Sequence, residues 1–232
     1  MFGGGSPPEI GMTFTGDKKN TDYFLSGYDR AVIRFFLLRV PAWLNTEHLT
    51  LSTLAWAALA VECGRRADAD IRWLWALSGC IILQHLTDML DGAVGRARAS
   101  GLVKWGFYMD HFLDYIFLGA LNIAYSFLLP PAYRALALAG LTISGAFMAH
   151  FFLDFAVTQE FKISFRGFGS SEIRYVLVLA NVGLIYGGKH LLIAGYPGAL
   201  MIAACALIIV VHQSQRTYGR ADLERLRRRP PR

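Results

Sequence analysis

The sequence predicts an all-α fold, an integral membrane bundle of six transmembrane helices preceded by an N-terminal interfacial amphipathic helix. Composition is the first reason. Of 232 residues, 54% are apolar and only 17% are charged, against roughly 25% charged in ordinary soluble domains. Segregation of the charge is the second. Six apolar stretches, at 48–63, 71–91, 106–129, 133–157, 173–187 and 197–212, hold nine of the charged side chains, although the chain has 23 Lys+Arg and 17 Asp+Glu. The third is periodicity: the stretches lack the period-two alternation of barrel strands, so helices are the spanning structure that remains. A soluble all-helical domain would need polar helices to cover six apolar ones, and a chain of this length does not supply them.

Taken in order, residues 1–20 are rich in Gly, Pro and polar side chains and read as a flexible leader without the basic-then-apolar profile of a cleaved signal. A single membrane-embedded catalytic domain is expected over 21–213. It opens with a helix at 22–40, where Phe24, Tyr28, Ala31 or Val32, Phe35 and Leu38 recur at helical spacing and Asp29, Arg30 and Arg34 fall between them. This helix either lies in the interface or packs on the bundle, and Pro41 ends it. Each apolar stretch then approaches the roughly 20 residues that cross a hydrocarbon core, the first, fifth and sixth drawing on flanking residues. Lys and Arg number eighteen in the N-terminal segment, the 92–105 and 158–172 loops and the tail, but five in the opposite loops. The positive-inside rule therefore places both termini and the 92–105 loop on the cytoplasmic side. Residues 214–232 form a basic cytoplasmic tail, read as a solvated and poorly ordered end. Cys63, Cys80 and Cys205 have no metal or redox spacing and read as small core residues. The basic residues lack interleaved aromatics, so no nucleic-acid partner is expected.

Chemistry concentrates in one window. Asp88-Met-Leu-Asp91-Gly92-Ala-Val-Gly95-Arg96 is followed, after a spacer, by Gly106-Phe-Tyr-Met-Asp110-His-Phe-Leu-Asp114. Asp88 and Asp91 share one face of a helix, as do Asp110 and Asp114. A short connection makes the two helices antiparallel neighbours, so four carboxylates converge at one end of the hairpin. An ionised Asp within a span costs roughly 2.5 to 3.5 kcal/mol, and four of them need a cation. Oxygen-only ligation favours Mg²⁺ or Mn²⁺, while His111 points to another face. Gly92 and Gly106 leave room for a diphosphate or nucleotide against the backbone, and Arg96 can neutralise phosphate charge.

These residues resemble the signature of the CDP-alcohol phosphotransferase family, D-x-x-D-G-x-x-A-R followed by G-x-x-x-D-x-x-x-D. The matching positions are Asp88, Asp91, Gly92, Arg96, Gly106, Asp110 and Asp114, with Gly95 where Ala is usual and a nine-residue spacer. Thr46-Glu47-His48-Leu49-Thr50 is similar to the family's P-N-x-L-T segment, with Thr46 and Glu47 in place of Pro and Asn. Six spans after an interfacial helix also match. The resemblance implies a phospholipid-biosynthesis transferase that moves a substituted phosphate from a CDP-alcohol, often CDP-diacylglycerol, to the hydroxyl of a second alcohol and releases CMP. It implies that Asp88, Asp91, Asp110 and Asp114 hold the metal on the diphosphate, that Asp88, Gly92, Arg96, Gly106 and Asp110 meet the nucleotide and phosphates, and that Asp114 is the general base. Membrane lipid is a partner, and a homodimer is compatible with this architecture.

The acceptor alcohol is less legible. Lys104, Gln159, Glu160, Lys162, Arg166, Glu172 and Arg174 lie towards the same side; the cations suit a phosphorylated acceptor, whereas Glu160 and Glu172 suit an amino-alcohol. His150 and Asp154, four residues apart, read as bundle glue. Two other classes are open. A membrane prenyltransferase acting on a prenyl diphosphate would show two separate acidic motifs. A non-enzymatic ion or proton carrier would leave Gly92 and Arg96 without a purpose.

Overall fold

The computed structural model describes residues 24–158 and 170–228, and all regular structure among them is helical. Helix α1 (Ser26–Leu37) precedes six longer helices: α2 (Thr46–Ala67), α3 (Trp73–Ala97), α4 (Val103–Ser126), α5 (Arg134–Thr158), α6 (Ser170–Gly187) and α7 (Lys189–Arg227). Two segments, Pro131–Thr158 and Lys189–Arg227, with mean hydropathies of 1.8 and 2.2, are long and apolar enough to cross a membrane. Neither is a buried core helix, and α7 has no buried residue at all. Their outward faces, including Leu138, Leu153, Ile202 and Ile208, therefore present apolar surface that suits membrane association. The remaining long helices carry the inward-facing polar groups, which lowers their hydropathy.

Packing runs in a closed cyclic order, α2 to α3, α3 to α6, α6 to α7, α7 to α5, α5 to α4 and α4 back to α2. The α3–α4 pair departs from the sequence expectation. Despite a link of only five residues, α3 and α4 have little close backbone packing against one another; α2 packs along both of them instead. Small side chains explain the preference for α2. Ala57, Ala60, Gly64 and Ala67 line one face of it, against Ala120 and Ala124 of α4 and Leu77 and Ile81 of α3. A Cβ on Gly64 would overlap the backbone of Ala124, so only glycine permits this approach.

Several boundaries differ from those read in the sequence. The expected 92–105 loop shrinks to residues 98–102, because α3 continues through Gly92, Gly95 and Arg96. This link turns back through Ala99 at φ 48° and Gly101 at φ 72°. Arg98 holds it down by donating to the carbonyls of Val40 at 3.1 Å, Pro41 at 3.0 Å and Leu44 at 2.8 Å. The final helix starts at Lys189, ahead of Pro197, after a one-residue turn at Gly188 with φ 86°. It runs on to Arg227, so most of the tail is ordered helix.

Helix α1 packs on the bundle. Phe36, Leu37 and Val40 meet Leu49, Leu90 and Val94 of α2 and α3. Asp29, which falls between the apolar positions of the amphipathic pattern, is buried with 1% exposure, while Phe24, Tyr28 and Phe35 face outward. Deeper in the bundle, Tyr125 donates to Asn181 at 2.8 Å and Asn181 donates to Ser78 at 3.0 Å, which ties α4, α6 and α3 together.

Gly64→Val would force α2 away from Ala124. We expect destabilisation of about 3 kcal/mol, the upper end of core overpacking, read as a lower thermal midpoint of the detergent-solubilised protein. An unchanged midpoint would mean that this approach does not organise the core.

Candidate active site

Three helices assemble the site. Asp88 on α3 and Asp110 and Asp114 on α4 each offer a carboxylate oxygen, and these oxygens lie within 4.8 Å of one another. Like charges at this separation repel unless a cation sits among them. Arg174 of α6, 8% exposed, supplies one positive charge. Its Nη2 lies 2.9 Å from Asp114 Oδ1 and 3.3 Å from Asp88 Oδ2, spanning the gap between α3 and α4. Gln84, fully buried, donates through Nε2 to the same Asp114 oxygen at 3.4 Å, whereas its Oε1 has no hydrogen-bond partner among the described residues.

The donor set fits a hard divalent cation. Three carboxylates are all oxygen ligands, which Mg²⁺ and Mn²⁺ prefer. Asp91, the fourth expected ligand, is buried and accepts from Thr50 Oγ1 at 2.6 Å, while its backbone carbonyl accepts from Thr46 Oγ1 at 2.7 Å. The three converging ligand atoms thus come from Asp88, Asp110 and Asp114, and Asp91 joins α3 to the start of α2.

Helical continuity of α3 puts Asp88, Gly92 and Arg96 one turn apart on the same face. The Arg96 guanidinium folds over Gly92, where a Cβ would lie 3.2 Å from Nη1. Among the described residues nothing stands within 4 Å of the position a Cβ would take on Gly106, which leaves the backbone there open to approach from them. His111 is buried against Phe107, with ring centroids 4.4 Å apart, although its Nδ1 also lies 3.4 Å from Asp110 Oδ2.

Among the residues expected near the acceptor, Lys104 is exposed in the first turn of α4. Glu172 is buried and accepts from the backbone N–H of Leu25 at 3.0 Å, so it docks the N-terminus of α1. Arg174 points into the carboxylates. Gln159, Glu160, Lys162 and Arg166 lie outside the described residues. Asp154 accepts from Ser214 at 3.3 Å and from Tyr218, which is the bundle-glue role expected of it, here towards α7.

Sequence reading did not connect Gln84, His85, Asp29 or Ser171 to this region. For the first two a signal existed: Gln84, His85, Asp88 and Asp91 form a polar stripe within an apolar stretch, costly unless it faces partners. No local signal marks Asp29 or Ser171, whose roles depend on how α1 docks. No family model, no curated protein and no solved structure matches this chain. The chemistry below therefore rests on these residues and on the resemblance of the 88–114 window.

Two departures from the family pattern touch each other. A Cβ on Gly95 would sit 3.3 Å from Thr46 Oγ1, so the threonine occupies room that alanine at 95 would use. Gly95→Ala gains up to about 1 kcal/mol of helix propensity, and crowding against Thr46 offsets that gain. We expect Gly95→Ala to be more stabilising in a Thr46→Ala background than in the native chain. Identical shifts of thermal midpoint in both backgrounds would show the two positions to be independent.

Proposed function

We propose that this protein is a membrane-embedded, divalent-metal-dependent transferase that moves a substituted phosphate from a CDP-alcohol to the hydroxyl of a second alcohol, releasing CMP. The observation that carries this reading is the convergence of Asp88, Asp110 and Asp114 from two helices, beside an open Gly106 and the Gly92–Arg96 turn. In this reading α2 to α7 are the six spans, and the loop charges put both termini and the site on the cytoplasmic side, where a soluble CDP group is available.

A divalent cation held by the three carboxylates would screen the diphosphate and stabilise the departing CMP. The chain's own groups do the rest. Arg96, exposed at the end of α3, grips phosphate oxygens with parallel donors, and Gly92 lets its side chain fold back along the helix. Arg174 and Gln84 both bear on Oδ1 of Asp114, which orients the carboxylate, and Asp114 is the group assigned the proton of the acceptor hydroxyl. As that proton moves, the acceptor oxygen bonds to the phosphorus bearing the donor alcohol, and the bond from that phosphorus to the bridging oxygen breaks. CMP leaves with the bridging oxygen. CDP-diacylglycerol is the donor that best suits a site reached from the bilayer.

The test is CMP formation from CDP-diacylglycerol by the purified protein, across a panel of acceptor alcohols and with a prenyl diphosphate as the competing donor. Mg²⁺ or Mn²⁺ should be required, and turnover in excess chelator would remove the metal from the mechanism. Asp114→Asn should lower the rate by roughly 10² or more, the scale of a lost general base, with a smaller loss of donor binding than Asp88→Ala. A wild-type rate for Asp114→Asn would assign the proton to another group.

A further inference from the structure

A buried run of side chains ties the carboxylate cluster to helix α1. Asp29 accepts from Ser171 Oγ at 2.7 Å, and its Oδ1 lies 3.9 Å from Nε2 of His85. On the opposite edge of that ring, Nδ1 is 3.3 Å from Nη1 of Arg174. Guanidinium has donors and no acceptor, so Nδ1 must offer its lone pair and the ring proton belongs on Nε2, on the side of Asp29. An edge-on contact with Tyr175, 5.7 Å between centroids, sets the plane of the ring.

Arg174 is thereby divided between two tasks. Nη2 bridges Asp88 and Asp114, while Nη1 is turned towards His85. An arginine beside two carboxylates ordinarily turns both terminal nitrogens onto them in a fork. Such a fork here would cover the oxygens that a cation needs. We propose that His85, whose Nε2 faces Asp29 of the docked α1, is a positioning residue that keeps Arg174 from closing over the carboxylates and so sets their affinity for a divalent cation. This inference rests on the reading of Asp88, Asp110 and Asp114 as metal ligands. It also makes the docking of α1, whose outer face carries Tyr28 and Phe35, a condition for cation binding.

Mn²⁺ affinity of the full-length, detergent-solubilised protein, measured from the electron paramagnetic resonance of free Mn²⁺, tests this by a double-mutant cycle. His85→Leu should bind Mn²⁺ about tenfold more weakly, a coupling of ordinary size for residues in contact. His85→Asn, whose side-chain oxygen can accept where Nδ1 did, should stay within about threefold of the native affinity, well inside that coupling. Arg174→Gln should bind more tightly than the native chain, and adding His85→Leu to it should change nothing further. Equal weakening by His85→Leu in both backgrounds would overturn the inference, since a purely structural role does not depend on Arg174. Should His85→Leu fail to fold, His85→Gln, which moves the polar group away from the Nδ1 position, replaces it in the cycle with the same expectation. A native protein that binds no Mn²⁺ would overturn the metal reading and this inference together, whereas Mn²⁺ binding without the coupling overturns this inference alone.

Discussion

Three carboxylates within 4.8 Å of one another, on two helices with little direct packing between them, set the terms for the rest of the structure. Their mutual repulsion would drive α3 and α4 apart unless something positive bridges them, because a half-buried site screens charge far less than water does. Arg174 is the chain's own bridge, and it comes from α6. Helix α2 meets the same constraint from behind. Its small residues let α3 and α4 both approach it, so the pair is held at a fixed separation without filling the space between them.

From that arrangement the peripheral contacts acquire a purpose. Thr46 and Thr50 hold Asp91 by its carbonyl and its carboxylate, which anchors the acidic turn of α3 to the start of α2. Arg98 binds four carbonyls of the α1–α2 connection, those of Val40, Pro41, Ala42 and Leu44, and fixes the other end of that turn. Glu172 and Ser171, at the start of α6, each take hold of α1, next to the arginine that enters the cluster. Small displacements at these joints would move the carboxylates by amounts that matter to a cation, whose ligand distances tolerate little change.

Much of this was legible in the sequence, and the limits have physical causes. The helical class followed from charge segregation, and the convergence of Asp88 with Asp110 and Asp114 followed from helical spacing across a short link. Helix ends were less accurate: α3 runs through Gly92 and Gly95 because the contacts of Asp91 with Thr46 and Thr50, and of Arg98 with the α1–α2 connection, outweigh the helix-weakening preference of glycine. The basic tail continues as helix for a comparable reason of context, since α7 enters it already nucleated. The burial of Asp29 was not legible because its amphipathic position, flanked by Arg30, says nothing of a buried Ser171 and His85 supplied by helices far along the chain. Asp91 was placed with the metal-holding residues by its spacing from Asp88 and by the family resemblance, and no local pattern reveals that Thr50 also engages its carboxylate.

The central claim is that the carboxylates of Asp88, Asp110 and Asp114 surround a divalent cation, with Arg174 beside it. Anomalous diffraction at the manganese edge from crystals of the protein grown with Mn²⁺ tests it most directly. The expected result is an anomalous peak bounded by those three carboxylates, within about 2.0 to 2.6 Å of their oxygens, the range for hard cations. Manganese bound elsewhere, or a map without a peak at the cluster while Arg174 still bridges Asp88 and Asp114, would contradict it.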